Sequence, residues 1–215
     1  LMGGSRGLTH LDAEGRLHVI EPPLEGDREV AVLGDGTWVV FEPESGEVFA
    51  RREGAWVKGP KLPGPMPRRR SIDPRIRGVL ADRLVLAGEG ATLVHWSPGE
   101  AGWTTEQAPF PVDALHTIDG GVWAYGTDGQ TAVFTGPGGW TPSVRWPLSW
   151  EQRATLQLRG GEVLVVGGKS GSAATGTVST EFCEPLAARC RPGPMLPAEV
   201  YAGALVELND GRVLL

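Results

Sequence analysis

Hydrophobic residues in this chain come in short bursts. Apolar or alternating runs such as Val163-Leu164-Val165-Val166 are bounded by Gly, Pro or Asp, the punctuation of β-strands and tight turns. No stretch holds apolar residues at three-four spacing for more than about two turns between a cap and a glycine stop, so helices are not expected. The clearest block is 153–168, RATLQLRGGEVLVVGG. It reads as a strand over 153–158, a tight turn at 159–161 and an antiparallel partner over 162–166. The turn needs positive φ, which selects glycine.

The block recurs. Hairpins of the same design turn at Asp35-Gly36, near Asp82, at Gly120, at Gly160-Gly161 and at Asp210-Gly211. Their mean spacing of about 44 residues falls within the roughly 40–50 of propeller blades. A second landmark keeps the same register. An aromatic is followed six or seven residues later by Trp in Phe49 and Trp56, Trp96 and Trp103, and Phe134 and Trp140, while Phe182 is followed by Cys190. Turn residues lie between the members of each pair, which predicts a second hairpin and four antiparallel strands per unit. A lone four-stranded sheet of this size leaves both faces uncovered, and radial stacking of such sheets covers them.

The pattern of an apolar strand, a Gly-Gly pair and then an aromatic with a Trp about seven residues on resembles the kelch-repeat β-propellers. Val163 to Gly168 matches it, as does Leu1-Met2-Gly3-Gly4. Gly88-Glu89-Gly90 keeps a split pair, Gly126 stands alone, and the first full unit has none. The resemblance implies an all-β, kelch-like β-propeller of four-stranded antiparallel blades. Four blades are expected at about 28–57, 76–106, 113–144 and 153–191, with half blades at 1–20 and 200–215. Kelch propellers usually have six or seven blades, so 1–215 is expected to be a single propeller domain cut from a longer chain. A closed five-blade ring is the alternative.

Composition narrows the class. Gly (32) and Pro (18) exceed their usual shares of about 7% and 5%, but the glycines keep no three-residue period, which excludes collagen. An apolar content of 40% with eight Trp supplies enough buried surface to exclude disorder. No apolar run approaches the roughly 20 residues of a spanning helix. A net charge of −6 gives no general attraction to nucleic acid or anionic lipid.

Candidate chemistry sits in the loops. In a propeller, the connection from one blade to the next opens on the same face as the loop between second and third strands. That expectation puts the 60–77 segment, with Arg68, Arg69, Arg70, Arg75 and Arg77, on one face with the loop that begins at Lys169. Guanidinium forks suit carboxylates and phosphates, so an acidic protein or carbohydrate ligand is the expected partner; a solvated, proline-stiffened connector is the alternative. Cys183 and Cys190 are placed on adjacent strands of one hairpin, where a cross-strand disulfide is feasible. A formed bridge implies export, to the extracellular space, the periplasm or the cell surface; two buried thiols filling the blade are the alternative.

Other motifs fail on context. Gly3-Gly4-Ser5-Arg6-Gly7 fits the nucleophile-elbow pattern, but that chemistry needs a helix afterwards and a strand is expected over 8–11. Gly168-Lys169-Ser170 lacks the upstream glycine and the helix of a phosphate loop, because position 163 is Val. His10, His18, His95 and His116 are scattered over different units. Galactose-oxidase-like enzymes build a copper site on a kelch propeller from Tyr, His and a Tyr–Cys crosslink, and no residue-by-residue match to that set is found here. The expectation is a non-catalytic binding scaffold, exported, with no cofactor, no nucleic acid and no membrane span. The rival is the propeller domain of a secreted oxidase or glycan-acting enzyme whose catalytic residues lie partly outside this segment.

Overall fold

A computed structural model describes residues 2–4, 7–11, 16–24, 28–64, 77–126, 128–144, 153–168, 177–200 and 204–215. Among these the protein is all-β, with a single 3-10 turn at Pro185–Ala187. The chain divides into two compact units, 1–107 and 108–215.

The first unit holds three antiparallel sheets. β1 (Met2–Gly4), β2 (Gly7–Leu11) and β3 (Leu17–Ile20) form a three-stranded sheet, one strand more than half a blade. β4 (Glu29–Val32), β5 (Trp38–Phe41), β6 (Val48–Arg52) and β7 (Ala55–Lys58) pair in chain order as a four-stranded sheet. So do β8 (Arg77–Leu80), β9 (Arg83–Ala87), β10 (Thr92–Trp96) and β11 (Thr104–Gln107).

The second unit repeats the plan. β12 (Ala114–Ile118), β13 (Gly121–Tyr125), β14 (Thr131–Gly136) and β15 (Gly139–Pro142) make one four-stranded sheet. β16 (Ala154–Gln157), β17 (Val163–Val166), β18 (Thr180–Glu184) and β19 (Arg189–Pro192) make the next. β20 (Val206–Glu207) and β21 (Val213–Leu214) pair alone.

The second strands carry unbroken apolar runs because both of their faces are covered. In β5, Val39 and Phe41 pack with Leu84, Leu86, Val94 and Trp96 of the following sheet. Val40, pointing the other way, packs with Ile20 and Leu24. In β17, Val163 and Val165 meet Trp123, Tyr125 and Val133 of the preceding sheet, whereas Leu164 and Val166 meet Leu196, Leu205 and Val213. Each such side chain contributes about 1.5–3 kcal/mol when fully buried. Stacking is therefore the source of stability, and no sheet could hold its faces alone.

The hairpin tips share one hydrogen-bond scheme. Leu33 N–H donates to Thr37 and Gly36 N–H to Leu33; Leu158 donates to Glu162 and Gly161 to Leu158; Leu208 donates to Arg212 and Gly211 to Leu208. Three turns far apart in sequence thus adopt the same local structure, which is the internal repeat expressed in backbone geometry. Tips of neighbouring sheets also hold one another. Gly34 N–H donates to the Ala81 carbonyl, and the Arg159 guanidinium grips the Asn209 side chain and carbonyl.

The aromatic landmarks form the second hairpins. The Trp96 and Trp103 rings lie 5.8 Å apart and those of Phe134 and Trp140 lie 5.2 Å apart. Trp56 Nε1–H donates to the Glu21 carbonyl and Trp103 Nε1–H to that of Pro60. The indole thus ties each of these two sheets to the segment that precedes it. In the sheet of β16 to β19, Cys190 lies opposite Cys183, as the expected cross-strand disulfide requires, and Phe182 lies opposite Arg191. The 3-10 turn lengthens this hairpin, so the place of the Trp passes to Arg191, whose guanidinium stacks 4.3 Å over the Phe182 ring.

Gly167 and Gly168 show why one sheet retains the glycine pair. Both have positive φ, +64° and +105°. A Cβ on Gly167 would meet the Val200 carbonyl oxygen at 2.2 Å, and one on Gly168 the Arg153 Cγ at 2.4 Å. The pair lets β17 leave its sheet, donate to Ser179 and Val200 carbonyls, and pass the Arg153 side chain closely.

Candidate functional site

The basic loop predicted from the sequence is framed rather than described. Arg68, Arg69, Arg70 and Arg75 fall outside the described residues, as does Lys169. The frame of the loop is clear. It leaves the outer strand β7 past the buried Leu62 and re-enters at Arg77, the first residue of β8. Because strands alternate in direction, this exit lies at the same end of its sheet as the exit of β17, where the 169–176 segment begins, does of its own sheet.

Arg77 is committed to the framework. Its guanidinium donates to the Glu29 carboxylate at 2.9 Å and to the Val30 carbonyl, bonding the first strand of one sheet to the first strand of the next. Both side chains are mostly covered, at 27% and 19% exposure. Burial holds the Arg77 pKa below the ordinary arginine value, and the Glu29 charge works against that shift. Glu29 stands at the head of an otherwise apolar run. That position was its only signal in the sequence.

A second polar cluster lies within β9, β10 and β11. Arg83 forks onto Glu100 at 2.9 Å and donates to His95 Nδ1 at 2.7 Å. A guanidinium only donates, so His95 Nδ1 accepts and its proton sits on Nε2, 3.6 Å from Glu106. His95 is fully buried. Burial first, and then the Arg83 charge, push its pKa below the usual imidazole value, with Glu106 and Glu100 opposing. The result is a neutral imidazole with an assigned tautomer. It ties three strands together.

The third cluster lies between the two four-stranded sheets of the second unit. His116 on β12 meets Thr155 on β16, with Nδ1 and Oγ1 3.0 Å apart. Its burial lowers the imidazole pKa to about 4. The Trp123 and Tyr125 rings lie 4.7 Å apart, tilted at 48°, on the same face. Burial pushes the Tyr125 hydroxyl well up, partly offset by the Arg153 charge. Arg153, itself lowered by burial, is supported by Glu181 and Tyr125.

The outer end of this seam carries the cysteines, which form a disulfide as expected, joining Cys183 and Cys190 directly across β18 and β19. Glu181 lies on the same face, and its carboxylate and the two sulfurs fall within 4.8 Å of one another. His10 and His18 are register partners on β2 and β3. The structure therefore brings His10 opposite His18 and keeps His95 and His116 in separate units. Arg83, Glu100, Arg153, Thr155 and Glu181 were not singled out from the sequence.

No protein-family model matches the chain, and no curated protein matches it. Solved structures do. A streptogramin B lyase superposes with TM-score 0.61 at 11% identity, over 98% of this chain and 75% of the lyase. A catalytically inactive virginiamycin B lyase from Staphylococcus aureus with quinupristin superposes with TM-score 0.64 at 11% identity, over 94% of this chain and 67% of the other. A fungal alcohol oxidase of the AA5 family in complex with copper matches with TM-score 0.61 and 14% identity over 91% of this chain, which spans half of the oxidase (50%). YCF48 bound to D1 peptide matches with TM-score 0.55 and 15% identity over 84% of this chain and 58% of that one. Identities this low speak for the fold and not for the activity. The four-stranded antiparallel sheets are blades, and the fold is that of a β-propeller.

Proposed function

We propose that this chain is a rigid, exported binding scaffold of the kelch propeller type, which engages an acidic protein or carbohydrate through the loops at one end of its blades. The observation that carries this reading is the frame of the basic loop. Arg68, Arg69, Arg70 and Arg75 lie in sequence between the buried Leu62 and Arg77, and the Arg77–Glu29 ion pair fixes the point where the chain re-enters its blade. Arg77 anchors the loop, and Lys169, which follows the second strand of its own blade in sequence, is the further cation proposed for binding. Support comes from a propeller-like neighbour that holds a peptide, YCF48. The Cys183–Cys190 disulfide supports export, since reducing compartments keep thiols free.

The experiment is a calorimetric titration of the full chain with a glutamate-rich peptide and, separately, a sulfated oligosaccharide. Saturable binding to one of them, weakened by salt, is expected. Binding to neither overturns the reading. The enzymatic reading rests on the lyase and oxidase neighbours. Stoichiometric metal in the purified protein, or turnover in an oxidase or glycosidase assay, would favour it.

A further inference from the structure

The outer hairpin of the fourth blade carries a feature that ligand binding does not use. We propose that reduction of the Cys183–Cys190 disulfide turns this hairpin into a binding site for a thiophilic d10 cation, with the two sulfurs and the Glu181 carboxylate as ligands. The site does not use the loop arginines of the binding reading above, and it forms only where a dithiol reductant meets the chain.

Pairing does not need the disulfide. Glu181, Phe182 and Glu184 lie in register with Pro192, Arg191 and Arg189 on the facing strand. The Arg189–Glu184 ion pair at 2.7 Å and the Arg191 stack on Phe182 brace the hairpin on either side of the cysteines. Reduced, the two sulfurs stay opposite each other, and Glu181 stays on their face two residues away. In the oxidised chain the three donor atoms fall within 4.8 Å of one another, and reduction frees the two sulfurs to separate to the spacing that an ion with bonds of about 2.3 Å to sulfur and about 2.0–2.2 Å to oxygen requires. A tetrahedral ion would take water as its fourth ligand. The Glu181 carboxylate has lone pairs enough to serve the ion while Arg153 remains at its side.

A dithiol attacks Cys190, the half-buried partner, because Cys183 is fully buried. The S–S bond breaks as a mixed disulfide forms, and the second thiol of the reductant resolves it. The reductant leaves as a disulfide, and the protein gains two electrons and two protons. Binding of Zn2+ then displaces both thiol protons.

The test uses the full chain, reduced with a dithiol, freed of it under anaerobic conditions and titrated with Zn2+ against a chromophoric chelator, with Co2+ as the optical probe. One Zn2+ per reduced chain and a sulfur-to-cobalt charge-transfer band are expected, with neither in the oxidised chain. Glu181→Gln should keep the band and weaken Zn2+ at least tenfold; Cys183→Ser/Cys190→Ser should abolish both. Far-UV circular dichroism of the reduced chain comes first, because loss of the β spectrum on reduction overturns the proposal. So does a folded, reduced chain without Zn2+, Zn2+ binding that survives loss of both cysteines, or an unchanged affinity in Glu181→Gln.

Discussion

His116 and Thr155 meet across the first strands of two neighbouring blades, imidazole Nδ1 3.0 Å from hydroxyl. The hydrogen bond spans 39 residues of sequence and closes the interface that also buries Trp123 and Val163. A proton added here would place a charge inside a packed seam. The folded pKa is about 4 against an ordinary 6.5. Between those values the unfolded chain binds the proton and the folded one does not. Stability is therefore complete above pH 6.5 and falls as pH drops, by about 3 kcal/mol at pH 4. His95, also lowered, adds to the same slope. Urea midpoints measured from pH 7 to pH 4 should fall steeply for the wild type and less steeply for His116→Gln. Parallel curves would contradict the assignment.

The Arg77–Glu29 ion pair holds two first strands together and closes the base of the basic loop. Arg77→Gln leaves the Glu29 carboxylate covered and without its guanidinium. Loss of a charged hydrogen bond of this kind costs about 1.5–3 kcal/mol. A drop of that size in denaturant unfolding is expected, with a smaller drop in the double variant Arg77→Gln/Glu29→Gln.

The disulfide closes a short hairpin loop, with a sequence separation of 7. Loop entropy then assigns it about 2–3 kcal/mol. Thermal melts with and without a phosphine reductant should differ accordingly, both transitions remaining cooperative. An identical melting temperature would show that the bridge constrains nothing.

Gly168 has φ +105° and no room for a methyl group beside Arg153. Gly168→Ala should cost at least about 2 kcal/mol, from the backbone conformation and the overpacking together. Gly160→Ala, where no atom lies within 4 Å of the added carbon, should cost about 1 kcal/mol or less.

Much of the fold was legible because blade strands declare themselves twice. Runs such as Val163 to Val166 are apolar throughout, which a strand covered on both faces requires, and most are punctuated by an Asp-Gly or Gly-Gly turn. The segment 1–20, matched by its Gly3-Gly4 pair but read as half a blade, carries three strands. The Phe182–Arg191 pairing was hidden by the 3-10 turn at Pro185–Ala187, which shifts the hairpin register. The site was less legible than the fold. Arg83 and His95 are 12 residues apart, and Arg77 and Glu29 are 48 apart. Only strand register and blade stacking bring them together, and neither is written locally. The arginines of the loop stood out by clustering alone.

On the proposed reading the loop arginines bind an acidic partner, and the Arg77–Glu29 ion pair anchors the β8 end of their loop. The most direct measurement compares peptide affinity and melting temperature for the wild type, Arg68→Gln/Arg69→Gln/Arg70→Gln and Arg77→Gln. The triple variant is expected to lose at least tenfold in affinity with its melting temperature nearly unchanged, while Arg77→Gln lowers the melting temperature. Equal affinity for wild type and triple variant would contradict it and remove Arg68, Arg69 and Arg70 from the site.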